Sequence, residues 1–223
     1  MHGWHALDAS LDGPMLPRHM QVMANIHTVC VYCGSGPGTN PAFIAAARQF
    51  GRILAENRIR LVYGGGAIGL MGELATAAID QGGAVTGIIP EFLTGPEHVL
   101  QEAQEVIVTR DMHERKRLMF EKADAFVALP GGIGTLEELV EQLTWAQLGR
   151  HKKPILIANI EGFWDPLCAL IDHMRQLEFI RAGFAVDLLV ADRVEDILPR
   201  LEQAARAVSK SEKAMALAPA ERM

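Results

Sequence analysis

Short apolar runs alternate with helical patterns along most of this chain. The runs predict strands over Thr28–Tyr32, Arg60–Tyr63, Ala84–Ile89, Glu105–Val108, Ala125–Leu129, Pro154–Ala158 and Leu188–Val190. Between them, apolar residues recur at helical spacing over Pro41–Asn57, Leu70–Gln81, Met112–Lys122, Leu136–Gln147, Trp164–Leu177 and Val194–Ala207. Strands apolar on both faces, each followed by a helix, predict a parallel sheet covered on both sides. The expected architecture is therefore α/β, a Rossmann-like doubly wound parallel sheet with helices on both faces, whose ligands sit at the carboxyl ends of the strands. Asn40-Pro41 reads as an N-cap followed by proline at the first helical position. The pattern makes residues 26–208 one domain. Residues 1–25, with Met20 and Met23 as alternative starts, and residues 209–223 read as flexible ends.

Glycine clusters follow three of these strands: Cys33-Gly34-Ser35-Gly36-Pro37-Gly38, Gly64-Gly65-Gly66-Ala67-Ile68-Gly69, and Leu129-Pro130-Gly131-Gly132-Ile133-Gly134-Thr135. Glycine lets backbone N–H groups approach a phosphate closely, and a helix N-terminus adds partial positive charge. Tight strand-to-helix turns also use glycine for their own geometry, so each cluster alone has a structural reading. Gly64, Gly66 and Gly69 match G-x-G-x-x-G, but after the second strand, with no acidic residue placed for a ribose, and no Walker lysine follows any cluster. Three clusters at one sheet edge point to a nucleotide-sized, phosphate-bearing ligand.

Two charged segments flank this edge. In Asp111-Met112-His113-Glu114-Arg115-Lys116-Arg117, Asp111 and Glu114 read as a capping pair. The cations behind them oppose the helix macrodipole. They form either a solvated basic face or a clamp in which Arg115 and Lys116 hold an anion or a base over the third cluster. Glu137 and Glu138 are expected in the first turn of the next helix. Thr135 and Glu138 also fit a capping box, with Thr135 as N-cap. Leu136, Leu139, Val140 and Leu143 form that helix's apolar stripe, with Glu137, Glu138 and Glu141 off it, and Trp145 reads as a packing residue. His113 and His151 titrate in a useful range but have no metal-ligand spacing around them.

Composition narrows the class. The chain has 223 residues, 49% hydrophobic and 22% charged, with a formal net charge of −6. The acidic balance argues against nucleic acid as partner. No apolar run approaches a membrane span, and the N-terminus lacks the pattern of a secretory signal. Cys30, Cys33 and Cys168 make no disulfide framework. Cys30-Val31-Tyr32-Cys33 matches C-x-x-C but lies in a strand pattern, which favours buried thiols in a reducing, cytoplasmic compartment.

Pro130-Gly131-Gly132-Ile133-Gly134-Thr135-Leu136-Glu137-Glu138 resembles the P-G-G-x-G-T-x-x-E signature of the LOG ("Lonely Guy") family of cytokinin riboside 5′-monophosphate phosphoribohydrolases. Met112-His113-Glu114-Arg115-Lys116 is similar to that family's M-H-x-R-K segment. Cys33-Gly34-Ser35, Gly64-Gly65-Gly66, Gly69-Leu70-Met71-Gly72 and the stretch Thr144 to Gly149 add to the resemblance, which runs from about Ile26 to Ala207. The resemblance implies hydrolysis of the N-glycosidic bond of adenine-type nucleoside 5′-monophosphates, activity like that of AMP nucleosidases, and no metal or redox cofactor. It carries catalytic roles onto Arg115 and Glu138. It carries substrate contacts onto Gly34, Ser35, Gly65, Gly66, Glu97, Lys116, Gly131, Gly132, Gly134, Thr135, Glu137 and Thr144. It also implies a homodimer with its site at the subunit interface. Another class stays open: similar Rossmann-like proteins carry a phosphorylated pterin cofactor and need no glutamate at a reaction centre.

Overall fold

The computed structural model describes residues 26–95, 103–180 and 187–217, with side chains through residue 209. Its strands are β1 (Thr28–Tyr32), β2 (Arg60–Tyr63), β3 (Val85–Pro90), β4 (Glu105–Thr109), β5 (Ala125–Ala128), β6 (Ile155–Ala158) and β7 (Leu188–Ala191). The helices are α1 (Pro41–Glu56), α2 (Gly69–Asp80), α3 (Met112–Lys122), α4 (Ile133–Gln147), α5 (Asp165–Gln176) and α6 (Ile197–Leu217). The strands form one parallel sheet in the order β4-β3-β2-β1-β5-β6-β7, with Val29 opposite Leu61 on one side and Ala125 on the other. The expected doubly wound α/β fold is therefore present.

Alternation along the buried strands sorts residues to the two faces. Val29, Val31, Leu61, Tyr63 and Val127 join a core with Phe50 and Leu54 of α1, Leu74 of α2 and Leu201 of α6. Cys30, Tyr32, Val62, Phe126 and Ile157 pack with Met119 of α3, Leu139 of α4 and Trp164 before α5. Both C-x-x-C cysteines are buried free thiols. Burial pushes each of them well above the ordinary cysteine range, with Glu138 adding to it. That is the opposite of a reactive redox pair.

From β1 the chain steps outward through β2, β3 and β4, then crosses back by α3 to β5 on the other side of β1. The connections leaving β1 and β5 thus diverge, and the crevice between them is the topological switch point where such sheets bind ligands. The first and third glycine clusters stand there.

Local signals explain the helix ends. The Asn40 side chain accepts from Ala42 N at 3.0 Å with Pro41 at the start of α1. Helix α6 runs to Leu217, past the expected end at Ala207. Residues 209–217 are dominated by Ser, Lys, Glu, Ala, Met and Leu, most of them good helix formers, and the helix takes in this part of the expected end segment. Residues 1–25, 96–102, 181–186 and 218–223, and with them Glu97, lie outside the described residues. Among the described residues no helix is long and apolar enough to cross a membrane.

Helices α1 and α2 meet closely because Gly51 has no side chain. A Cβ there would stand 2.2 Å from the carbonyl oxygen of Leu74. Gly51→Ala is expected to lower stability by about 1–3 kcal/mol, overpacking outweighing the better helix propensity of alanine. Urea unfolding checks this; an unchanged or raised midpoint would show that the two helices separate freely.

Candidate active site

The site is assembled from the loops after β1, β2 and β5. Gly34 N donates to the carbonyl of Pro130 at 3.1 Å, joining the first and third loops across the switch point. The second loop is held from below: Met71 N, in the first turn of α2, donates to Gly34 O at 3.3 Å. Gly69 has φ +60°, and a Cβ there would lie 2.2 Å from Ser35 O, so this turn requires glycine on two counts. Gly65, at φ +79°, packs beneath Ile89. A cleft of about 320 Å³ opens between the first and third loops, lined by Gly34, Ser35, Gly36, Pro130, Gly131 and Gly132 with Phe43 and Phe163 at its rim.

Helix α4 begins at Ile133, not at Leu136, and its N-cap is Gly132 with extended backbone. Thr135 is therefore inside the first turn rather than at the cap, and the expected capping box with Glu138 is absent. The cause is packing. Gly131 has no Cβ, and the place of one is taken by the Thr135 hydroxyl, 2.2 Å from where the Cβ would be. Thr135 is buried and spends its hydroxyl side on that contact. The correction moves Glu137 and Glu138 into the second turn. It also places the first-turn N–H groups, which have no intrahelical acceptor, at Ile133, Gly134 and Thr135.

Gly132 and Gly134 are informative for a different reason. Neither has positive φ, and a Cβ on either would meet nothing within 4 Å. Neither backbone strain nor packing calls for glycine there, and glycine inside a first turn weakens the helix. Both leave bare backbone at a helix N-terminus, a place where an anion is favoured.

Behind this cradle lies a buried ion pair. Arg115, in α3, donates from Nη1 to Glu138 Oε1 at 2.6 Å and from Nε to the carbonyl of Ile88 at 3.0 Å. Both side chains are only 9% exposed. The guanidinium lies against Gly64, where a Cβ would come within 2.4 Å of Nη2. The glycine of the second loop thus makes room for the arginine. Burial raises the Glu138 carboxyl above the ordinary glutamate range, Arg115 opposes this by charge and hydrogen bond, and Glu137 adds to the rise. A carboxylate poised above its usual range beside a phosphate cradle is suited to take a proton from water.

The remaining charges are committed. Asp111 caps α3 by accepting from Glu114 N at 2.8 Å, but Glu114 accepts from Arg110 N at 2.9 Å, one residue earlier than a capping box would have it. Lys116 Nζ lies between Glu137 and Glu141 at 2.6 and 3.0 Å. Burial draws its ammonium down, and the bonds to the two carboxylates more than reverse this. The structure therefore gives Lys116 to α4 rather than to open solvent. Thr144 is exposed and turns its hydroxyl onto Val140 O of its own helix at 2.8 Å. It stands about 15 Å along α4 from Gly134, away from the cleft. Trp145 packs edge-on against Phe120, as a packing residue does. His151, drawn down mainly by burial, rests against Gln142 O, Phe120 and Phe126. Phe43, Phe163 and the Ile88 carbonyl enter the site with no signal in the sequence. Among the described residues no His, Cys, Asp and Glu group could hold a metal ion.

The bare backbone of Gly132 and Gly134 and the buried Glu138 thus lie within two turns of one helix. The family described as "Possible lysine decarboxylase" matches residues 71–201. The cytokinin riboside 5′-monophosphate phosphoribohydrolase LOG of Oryza sativa subsp. japonica is 45% identical over 175 residues, 78% of this chain and 72% of that protein. The cytokinin riboside 5′-monophosphate phosphoribohydrolase of Rhodococcoides fascians is 44% identical over 169 residues, 75% of this chain and 85% of that protein. The molybdenum cofactor carrier protein of Chlamydomonas reinhardtii shares the fold, with TM-score 0.60 and 22% identity over 80% of this chain and 98% of that one. The chain belongs to the LOG family. It is a hydrolase of N-glycosidic bonds.

Arg115→Met is expected to leave a buried carboxylate without its partner and to lose about 3–5 kcal/mol at pH 8. Without the guanidinium the folded-state pKa of Glu138 rises further above its unfolded value. Stability is then retained at low pH and lost as pH rises through that folded value. Urea unfolding at pH 5.5 and pH 8 should show the smaller loss at pH 5.5. A loss of equal size at both would mean that Glu138 is not the group left unpaired.

Proposed function

We propose that this chain hydrolyses the N-glycosidic bond of purine nucleoside 5′-monophosphates, with adenine or an N6-modified, cytokinin-type adenine as base, releasing free base and ribose 5-phosphate. The observation that carries this reading is the pair of unconstrained glycines, Gly132 and Gly134, at the start of the helix that also bears the buried Glu138. The 5′-phosphate accepts from the first-turn N–H groups of α4, with the Gly34–Ser35 and Gly65–Gly66 loops beside it. That anchor sets the ribose against the second turn.

Cleavage of C1′–N9 develops positive charge on the sugar and negative charge on the base. Glu138 offsets the first and takes the proton of the attacking water, whose hydroxyl bonds to C1′ as the C1′–N9 electron pair leaves with the base; the base then takes up a proton from solvent, and Glu138 returns its own to solvent. Arg115 stays charged throughout, so it serves as an electrostatic partner of Glu138 and of the departing base rather than as an acid. The logic is that of glycoside hydrolysis with one carboxylate. Glu97 and Thr144 complete the proposed contacts, Thr144 by reaching the cleft of a second copy.

The same reading includes a homodimer. Ile133 and Val140 on α4 and Leu148 just past its end are 81%, 44% and 75% exposed, and Leu170, Leu177 and Phe179 on and after α5 are 48%, 54% and 80% exposed. A groove lined by Ile133, Leu136, Leu167 and Leu170 joins the two sets. So much open apolar surface on adjoining elements fits a partner subunit. The buried free thiols fit a reducing, cytoplasmic setting.

Incubation with AMP and with an N6-prenylated AMP should release free base and ribose 5-phosphate, and adenosine should be cleaved at least ~100-fold more slowly because it lacks the anchor. Chromatography of the products decides it. Adenosine cleaved as fast as AMP, or nucleotide bound without release of base, would overturn the reading, the latter in favour of a carrier.

Light scattering should give at least twice the 24.3 kDa mass of one chain. Leu148→Asp should shift the protein toward the single-chain mass and reduce turnover with it. A wild-type mass of one chain at micromolar concentration would contradict the dimer.

A further inference from the structure

Lys116 stands between two carboxylates one turn apart on α4, and the two are not equivalent. The side chain of Glu137 is 51% exposed and that of Glu141 21%, against 10% for Lys116. The second oxygen of Glu141 is buried with no hydrogen-bond partner. That carboxylate is thus held in place through its bond to the lysine. A buried ammonium keeps its charge only while a counter-charge stays beside it. An ion pair with a half-exposed partner is weak and easily exchanged. The bond to Glu137 is the shorter, 2.6 against 3.0 Å, but the half-exposed Glu137 is the partner that can exchange the lysine for another donor while Glu141 stays beside it.

Glu137 is also the better placed of the two to meet a ligand. Side chains on a helix lean toward its N-terminus, so the Glu137 carboxylate reaches back over the first turn of α4. That is where the bare backbone of Gly132 and Gly134 lies. A ribose hanging from a phosphate held there presents its hydroxyls within reach of this side chain. An ionised carboxylate has acceptors for both.

Resting on the nucleotide reading of the site, we propose that Glu141 is the standing counter-ion of Lys116, which frees Glu137 to leave the lysine and accept hydrogen bonds from the ribose hydroxyls. Glu141 then touches no substrate and is a positioning residue. Without its charge, Lys116 retains Glu137 and the ribose loses its acceptor.

The test uses ribose 5-phosphate and 2-deoxyribose 5-phosphate as calorimetric probes, so that no turnover is involved. The wild-type protein should prefer ribose 5-phosphate by roughly 10-fold, the size expected of a hydroxyl bonded to a charged acceptor. Glu137→Gln should abolish the preference. Glu141→Gln, which keeps an acceptor for Lys116 and a similar shape, should reduce it to about 2-fold or less with little change in thermal midpoint. The double variant should look like Glu137→Gln alone. Adding Lys116→Met to Glu141→Gln should restore the preference, because no lysine remains to hold Glu137, and a merely structural role for Glu141 would not yield that rescue. A wild-type preference retained in Glu141→Gln, effects of the two glutamates that multiply, or no rescue by Lys116→Met would overturn the proposal. Wild-type binding of both probes with equal affinity would overturn it alone. Binding of neither would overturn it together with the phosphate cradle.

Discussion

A guanidinium and a carboxylate, each 9% exposed and 2.6 Å apart, sit at the carboxyl edge of the sheet. Taking both charges from water is expensive, and a well-packed apolar pair would serve stability as well or better. The pair therefore makes most sense as a device for position and reactivity. It ties α3 to α4. It anchors the guanidinium on the Ile88 carbonyl and against the bare backbone of Gly64. By charge and hydrogen bond Arg115 opposes the burial that raises the Glu138 carboxyl above the ordinary glutamate range. The glycine of the second loop, the register of α3 and the start of α4 all have to agree for this contact to form.

The cradle in front of the pair depends on the same edge. Sheet order places β1 and β5 side by side with connections running opposite ways, so two loops can meet without either crossing the crevice. Gly131 admits Thr135, and Gly34 closes on Pro130. The first turn of α4 is thereby fixed at the edge of the crevice. The bare first turn and Glu138 then lie on one helix, which fixes their spacing. The fold alone does not decide function. The carrier protein of Chlamydomonas reinhardtii shares it at 22% identity, so activity has to come from the residues placed on this edge.

Much of this was legible in the sequence because the signals are local. Short apolar strand runs, Asn40-Pro41 at α1 and Asp111 at α3 all lie where the pattern puts them. The start of α4 was not, because Thr135 satisfies a cap rule by type. Only the three-dimensional contact with Gly131 shows that the helix begins earlier. The end of α6 was missed by weighing residues 209–217 as a tail instead of by their helix propensity. Arg115 and Glu138 stood out as residue types, but their pairing across 23 positions is tertiary. Glu141 was visible off the apolar stripe, while its hold on Lys116 was not. Phe163 reaches the cleft rim from a loop that carries no motif.

The central claim is that Glu138 does chemistry and is not present only to tether two helices. Glu138→Gln separates these roles, since glutamine still accepts from Arg115 but cannot take a proton from water or offset charge on the sugar. Thermal midpoint and AMP hydrolysis measured on one preparation should show a folded protein with a rate lowered by roughly 10²-fold or more. Turnover close to wild type in that variant would contradict the account and leave Glu138 as a structural partner of Arg115.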